Sequence, residues 1–238
     1  MTRIVRNTLL LSLLCLSVQA AGAEFTEGVH YKLVAKPETQ PNPRKVEVEE
    51  YFWYGCPHCY QFESSIAPWL ARKPEDVSFK RVPHTMGRPI GIMHTLAYHM
   101  AENLGIVKRI HAPMFKAVHD QKQNMDTLAD ICALFIKEGG VSEDQCRAAA
   151  ENEDVKHAAD HDEFLIRRYS VVSVPTLVVD GRYYSNAKMA GGMSRLMDVT
   201  KFLIDKQMTE RKLRVPLPVE EHPVADNPRY RTLIPSPF

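Results

Sequence analysis

Alternating or continuous apolar runs predict five short strands along the chain. They lie at residues 31–34, 46–54, 77–83, 174–179 and 182–184. The run at 46–54 begins as alternation and ends in aromatic residues, which is typical of a strand that becomes buried on both faces. Asp180-Gly181 separates the last two runs and predicts a hairpin between them.

Apolar residues recur at helical spacing in most of the remaining chain. The first predicted helix begins after Cys56 and ends at Leu70, and two more span 94–104 and 107–118. A fourth begins at the cap Asp126 and a fifth at the cap Ser142. The last two cover 153–168 and the apolar positions 196–204. Between residues 86 and 169 no strand signal interrupts the helical pattern. We therefore predict a sheet-based α/β domain, formed by 24–85 and 170–211, into which a helical domain at 86–169 is inserted. The proline-rich segment 212–238 is predicted to be extended or disordered.

The first 23 residues have the features of a secretory signal peptide. Two arginines precede a short apolar run from Leu9 to Val18, and the small residues at 21–23 predict cleavage after Ala23, with Ala20 as the weaker site. Because the apolar run is short for crossing a bilayer, an uncleaved membrane anchor is the less favoured alternative. Export places the mature chain in an oxidising compartment, such as the periplasm, where disulfides form and persist.

Composition narrows the classes of function. The chain has 238 residues, of which 45% are hydrophobic, enough for a substantial core. A formal net charge of +1 argues against a nucleic-acid partner.

The predicted cleavage leaves four cysteines, namely Cys56, Cys59, Cys132 and Cys146. Two helices joined by the Gly139-Gly140 turn can bring Cys132 and Cys146 together, so we predict a structural disulfide there. Two buried free thiols are the alternative.

Cys56-Pro57-His58-Cys59 stands where a predicted strand meets a predicted helix, which indicates a thioredoxin-like redox site. Pro57 suits the first helical turn, so Cys56 is predicted to be the N-cap. The helix N-terminus, a positive charge on His58 and the Cys59 thiol proton all favour a Cys56 thiolate. A structural disulfide and half of a zinc site are the alternatives. We expect no metal, because zinc needs four ligands and there is no second C-x-x-C.

Val174-Pro175 stands at the start of the fourth predicted strand. Proline cannot occupy the middle of a strand. A cis peptide bond at Val174-Pro175 would place a backbone edge against the cysteines. We therefore predict that Val174 and Pro175 bind substrate.

These motifs together resemble the DsbA family of thiol:disulfide oxidoreductases. The segment from Cys56 to Glu63, the dipeptide Val174-Pro175 and the hairpin at 179–183 carry the resemblance, which covers roughly residues 25–208. It implies a thioredoxin fold with an inserted all-helical domain and no cofactor other than the redox-active disulfide. It also implies that the protein oxidises cysteines of unfolded exported proteins and is re-oxidised by a quinone-linked inner-membrane partner of the DsbB type.

The resemblance also assigns roles to residues outside the C-x-x-C motif. It implies that Glu50 assists proton transfer to the buried thiol, with Arg81 as a basic neighbour. The alternative is that Glu49 or Glu50 is a solvated strand charge. Gly55 departs from the pattern, because the best-known members have a bulky aromatic residue before the first cysteine. We expect neighbours such as Tyr54 or His58 to supply that contact.

Two other functions fit the same sequence. A disulfide reductase or isomerase would have the same fold but would reduce or rearrange disulfides instead of forming them. A periplasmic chaperone would carry an inert disulfide between Cys56 and Cys59. Pro57-His58 favours the oxidase, and a measured redox potential separates it from the reductase and isomerase.

Overall fold

The structure, a computed structural model, describes residues 25–37 and 44–214. The predicted signal peptide and the segment 215–238 of the predicted tail lie outside the described residues. Within the described part, five strands form one sheet: β1 (Lys32–Leu33), β2 (Val46–Phe52), β3 (Val77–Pro83), β4 (Thr176–Val179) and β5 (Tyr183–Asn186).

The sheet has the order β1-β5-β4-β2-β3. β2 pairs with β3 in parallel and with β4 antiparallel, and the pairs β4–β5 and β1–β5 are also antiparallel. β2 is buried on both faces: Val46 and Val48 belong to one hydrophobic cluster, whereas Tyr51 belongs to another. This agrees with the interpretation of its continuous apolar end.

The helices begin with α1 (Pro57–Leu70), which connects β2 to β3. The remaining ones are α2 (Pro89–Asn103), α3 (Val107–His119), α4 (Leu128–Leu134), α5 (Glu143–Glu151), α6 (Glu153–Tyr169), α7 (Ala187–Ala190) and α8 (Met193–Arg214). A π-helical turn, Phe135–Gly139, continues α4. α2 to α6 lie between β3 and β4 in the chain and form the predicted helical insert. No helix of the described segments has the length and apolar character that a bilayer span requires.

The fold has hydrophobic clusters on both sides of the sheet and within the insert. α1 and α8 cover one face through residues such as Phe62, Ile66 and Leu203. The C-terminal part of α6 contributes Leu165 and Tyr169 to the cluster that contains Tyr51 of β2. The cluster of the insert extends to the end of β2 and includes Cys56 and Cys59, so the C-x-x-C pair lies where the sheet domain meets the insert.

Several element boundaries differ from the sequence predictions. β2 ends at Phe52 rather than Tyr54, because a turn begins at Trp53. α2 begins at Pro89 rather than residue 94, since proline is accepted in the first helical turn. α8 continues to Arg214 and therefore overlaps the start of the predicted tail at 212.

The capping predictions have mixed outcomes. Ser142 and Gln145 form the predicted capping box of α5. The prediction of Asp126 as the cap of α4 is wrong, because the Thr127 side chain accepts the hydrogen bond from the Asp130 amide. A threonine hydroxyl makes this contact as well as a carboxylate does, so the sequence alone did not separate the two neighbours.

Candidate active site

Cys56 and Cys59 lie at the start of α1. The turn after β2 is closed by a hydrogen bond from the Cys56 amide to the Trp53 carbonyl oxygen (2.9 Å). Cys56 is the N-cap with an extended backbone (φ −91°, ψ 115°), and Pro57 is the first helical residue. Both cysteines are thiols; Cys56 is 8% exposed and Cys59 is fully buried. Only Cys56 is therefore placed to meet another molecule.

The surroundings separate the pKa values of the two thiols. A hydrogen bond from the Cys59 thiol lowers the pKa of Cys56 to about 6, against the opposing effect of burial. The amides of Cys59 and His58 and the charge of His58 act in the same direction, as expected at a helix N-terminus. Burial raises the pKa of Cys59, and its hydrogen bond with Cys56 raises it further. Cys56 is thus the thiol that ionises first.

The loop before β4 lies against Cys56. The Val174-Pro175 peptide bond is cis, and the Val174 carbonyl oxygen accepts a hydrogen bond from the Cys56 thiol (3.6 Å). A groove of about 340 Å³ continues from this point and is lined by His58, Ser173, Val174, Pro175, Asn186, Ala187, Lys188 and Met193. The two residues that were predicted to bind substrate therefore lie beside the more exposed sulfur, at one end of an open groove.

Glu50 is fully buried on the face of β2 that meets α1. Arg81 donates to its Oε2 (3.0 Å), and Oε1 has no hydrogen-bond partner among the described residues. Burial raises the pKa of Glu50 to about 7, although Arg81 opposes this shift. The negative charge of Glu50 in turn raises the pKa of Cys59. Glu49 is also buried and pairs with Lys80 (2.6 Å). The alternative of a solvated strand charge is therefore wrong for both residues.

A second carboxylate and a histidine join this buried cluster and were missed by sequence reasoning. Arg81 also donates to Glu63 (3.2 Å), and His111 of the helical insert hydrogen-bonds the same carboxylate (3.2 Å). The Tyr54 hydroxyl bonds the other ring nitrogen of His111 (2.9 Å). Burial opposes ionisation, but His111 and Arg81 hold the pKa of Glu63 below its usual value. Glu63 follows Cys59 by one helical turn, a spacing that would have placed it on the same face.

Gly55 is covered by an indole ring. A Cβ atom at Gly55 would lie 2.2 Å from Cζ2 of Trp53, closer than any real contact. The expectation that Tyr54 contacts substrate here is wrong, because the Tyr54 side chain is 1% exposed and faces the insert. His58, the other expected contact, is exposed. The aromatic residue at this edge is therefore Trp53, which the sequence analysis did not single out.

The other two cysteines belong to the helical insert. Cys132 of α4 and Cys146 of α5 are joined by a disulfide with a Cα–Cα distance of 5.7 Å. Both are fully buried in the cluster of the helical insert. The geometry is that of an ordinary protein disulfide.

Three further histidines make structural contacts. His84 and His94 hydrogen-bond backbone carbonyl oxygens of distant segments, and His99 lies between two carboxylates. In the described segments no three His, Cys, Asp or Glu side chains are grouped so as to hold a metal ion.

Comparison with known proteins agrees with this geometry. The family model described as Thioredoxin matches residues 43–199. The chain is 31% identical to the thiol:disulfide interchange protein DsbA of Pseudomonas aeruginosa over 212 residues, covering 87% of this chain and all of the relative. It is 34% identical to DsbA of Azotobacter vinelandii, covering 82% of this chain and 92% of the relative. The crystal structure of Pseudomonas aeruginosa DsbA matches with a TM-score of 0.75 at 31% identity, covering 80% of this chain and 98% of that one.

The thioredoxin fold, its helical insert and the C-x-x-C pair at the start of α1 define a class of proteins, the thiol:disulfide oxidoreductases. Within that class, the chain belongs to the DsbA family of thiol:disulfide interchange proteins.

Proposed function

We propose that this protein is a periplasmic dithiol oxidase that introduces disulfide bonds into exported proteins through Cys56 and Cys59. The observation that carries the proposal is the separation of the two thiols, since the pKa of Cys56 is lowered to about 6 and that of Cys59 is raised. A stabilised Cys56 thiolate favours the reduced enzyme. The Cys56–Cys59 disulfide is therefore a strong oxidant of other thiols.

Oxidation of a substrate takes two exchange steps. First, a substrate thiolate attacks the Cys56 sulfur of the enzyme disulfide; a substrate–Cys56 bond forms, and Cys59 leaves with the electron pair. Second, another substrate thiolate attacks the substrate sulfur of this mixed disulfide, and Cys56 leaves as a thiolate. The substrate loses two electrons and two protons, the enzyme gains both electrons, and Cys59 takes up one proton. The other proton goes to solvent.

Glu50 is the proposed carrier of the proton that Cys59 takes up. A carboxyl whose pKa is about 7 is populated in both protonation states near neutral pH, as proton transfer requires. Arg81 holds one carboxylate oxygen and leaves Oε1 without a partner in the described chain. Arg81 also donates to Glu63, which His111 holds by a further hydrogen bond, so the cluster keeps Arg81 and Glu50 in position.

Val174 and Pro175 are the proposed contacts for the substrate backbone. The Val174 carbonyl oxygen already accepts a hydrogen bond from Cys56, so a peptide bonded to this sulfur must lie along the same loop. The adjoining groove has no acidic residue in its lining and carries His58 and Lys188. Exposed His58 also supports the Cys56 thiolate, which links substrate binding and reactivity.

Each cycle leaves the enzyme reduced, so an external oxidant is required. We assign that step to a quinone-linked inner-membrane oxidase of the DsbB type, as the family resemblance implies. The predicted signal peptide at 1–23 supports export, and unfolded exported proteins with reduced cysteines are then the substrates.

Equilibration with glutathione tests the direction of the reaction. The protein is incubated in buffers with graded ratios of reduced to oxidised glutathione, and the fraction with a Cys56–Cys59 disulfide is measured after acid quenching and thiol alkylation. We expect a redox potential far above the roughly −270 mV of thioredoxin. A value near that of thioredoxin would refute the oxidase and favour a reductase. The pKa of Cys56, measured from thiolate absorbance, checks the cause independently.

A further inference from the structure

We propose that Trp53 and Arg88 form a substrate-recognition surface beside the redox site, called the wall below. The Trp53 ring occupies the space that a side chain at Gly55 would fill. The wall selects substrate cysteines that are flanked by an aromatic or large apolar residue and by a carboxylate. This inference rests on the proposed oxidation of substrate thiols at Cys56.

The first step is that Gly55 and Trp53 share one volume. A Cβ atom at Gly55 would lie 2.2, 2.5 and 2.6 Å from Cζ2, Cε2 and Cη2 of the Trp53 ring. Any side chain at position 55 must therefore displace the indole. Trp53 can cover this edge of the site only because position 55 is a glycine.

The second step is that the ring is fixed by its neighbours. The His94 ring packs near it, with centroids 6.1 Å apart, and the Arg88 guanidinium lies 5.6 Å from the indole centroid. Such a cation over an indole face is attracted by the ring electrons. Trp53 Nε1 is buried and has no hydrogen-bond partner in the described segments. Packing, rather than a hydrogen bond, therefore positions the ring.

The third step is that a rigid loop presents Arg88. Met86 and Gly87 both have positive φ (52° and 64°). The Met86 amide donates to His84 Nδ1 (2.9 Å), and the Arg88 amide donates to the Thr85 carbonyl oxygen (3.0 Å). Arg88 is exposed, and no carboxylate within residues 25–37 and 44–214 pairs with it. Its charge is therefore available to a ligand.

The fourth step is proximity to the reacting sulfur. Trp53 and Cys56 are the two ends of one hydrogen-bonded turn, and Gly55 precedes Cys56 directly. A peptide bonded to Cys56 must place the neighbours of its own cysteine against the groups around this turn. An indole suits an aromatic or apolar neighbour, and a guanidinium suits a carboxylate.

Reduced peptides with two cysteines test the wall. One peptide has Phe and Asp beside a cysteine, a second has Gly in place of Phe, and a third has Lys in place of Asp. For the Phe–Asp peptide, we expect Trp53→Ser to raise KM about two- to tenfold, the range of aromatic pair contacts. The kcat and the glutathione redox potential should stay unchanged, and the Gly peptide should show little difference. Trp69→Ser, at a half-buried tryptophan packed on Phe79, is the matched control and should leave KM unaltered.

Arg88→Glu tests the charge. It should reverse the preference between the Asp and Lys peptides, because a rim charge acts mainly on association. For the Asp peptide, added salt should then raise the rate, whereas it lowers the rate of the wild type. Arg109→Glu, at an exposed position of α3, changes the net charge equally and should leave the preference as it was.

An exchange of the two positions gives the sharpest result. Gly55→Phe alone should displace the indole and raise KM, whereas Trp53→Ser/Gly55→Phe should restore KM because one ring again fills the volume.

Unchanged KM in folded, active Trp53→Ser would overturn the wall and leave the proposed oxidase intact. A parallel shift in redox potential would also overturn it, since the ring would then act on the cysteines. If Trp53→Ser does not fold, Trp53→Leu takes its place. Failure of the wild type to oxidise any peptide would instead overturn the proposed function.

Discussion

Cys56 and Cys59 stand three positions apart at the start of one helix, whereas Cys132 and Cys146 come from two helices and are 14 residues apart. The first pair is held as thiols, with one sulfur near the surface beside an open groove. The second pair is bonded and fully buried. Because all four side chains are chemically identical, the difference must come from their surroundings.

The helix positions explain much of that difference. Cys56 caps α1, whose first turn contains no acidic residue, so nearby amides and the helix dipole favour an anion. Cys146 lies behind the acidic first turn of α5, Glu143 and Asp144, and its amide already donates to the Ser142 carbonyl oxygen. A thiolate is therefore stabilised at the position of Cys56. The comparison teaches that local charge and access decide whether a cysteine pair is reactive.

Cys56→Ser should have the largest effect. Loss of the attackable sulfur removes both exchange steps, so oxidation of a reduced, unfolded substrate protein should fall to the uncatalysed rate. The double variant Cys132→Ala/Cys146→Ala is the matched control and should retain activity at a temperature where it is folded. Substantial oxidation by Cys56→Ser would contradict the assignment of the two pairs.

Cys56 should give the stability of the reduced protein a distinct dependence on pH. The pKa of Cys56 falls from 9.0 to about 6 on folding, so this thiol binds fewer protons in the native state than in the unfolded chain between these values. Relative to a Cys56→Ser variant, stability should therefore rise from pH 6 towards pH 9, by roughly 2–4 kcal/mol, and this contribution should be lost as pH falls through 6. His99, whose pKa is raised to about 9, acts in the opposite direction and is common to both proteins.

Urea unfolding under reducing conditions measures this rise. The Cys132→Ala/Cys146→Ala background removes the confounding reduction of the second pair. Adding Cys56→Ser to that background should remove the contribution of Cys56, so the difference in stability between the two proteins should grow from pH 6 towards pH 9. A rise of equal size in both proteins would show that other groups cause it.

Removal of the second pair should lower stability without changing the redox potential. In the loop-entropy account, a bridge across about 15 residues contributes about 3 kcal/mol. Urea unfolding of Cys132→Ala/Cys146→Ala, compared with oxidised wild type, should show a loss of this order. The glutathione equilibrium of Cys56 and Cys59 should be unchanged; a shifted equilibrium would mean that the insert controls the redox pair.

Glu50→Gln should give the smallest change in stability and a distinct change in kinetics. Burial raises the pKa of Glu50 from 4.5 to about 7, so its ionised form destabilises the fold increasingly between these values. The variant should therefore be more stable than wild type above pH 7, by about 1–2 kcal/mol, and equal to it below pH 4.5.

The kinetic part of this test follows the proposed proton transfer. Release of Cys59 should slow about tenfold in Glu50→Gln, which is less than the roughly 100- to 10,000-fold typical of general acid–base catalysis. Stopped-flow reduction by a peptide thiol measures that step. Glu49→Gln, at the adjacent buried carboxylate on the opposite face, is the matched control, and equal slowing in both would remove the special role of Glu50.

Much of the fold and of the reactive pair could be predicted from sequence because their signals are local. Pro57 after a buried strand marks the helix start, and the Asp180-Gly181 turn has the positive φ angles that such a hairpin requires. The span of β3 was predicted without error. Each of these depends on residues within one turn or one strand, where spacing alone determines the neighbours.

What the sequence by itself determined is therefore the C-x-x-C pair, its place at a helix N-terminus and the helical insert. Only the tertiary structure decided which distant groups surround that pair. His111 reaches Glu63 across 48 residues, and no periodicity encodes such a contact. The contact of Arg81 with Glu50, across 31 residues, was indicated by the family resemblance and not by spacing. Spacing does not encode the position of Trp53 either, because the direction of its ring over Gly55 depends on His94 of α2 and on Arg88, the N-cap of that helix. Packing chooses among side-chain directions that the local sequence leaves equally open.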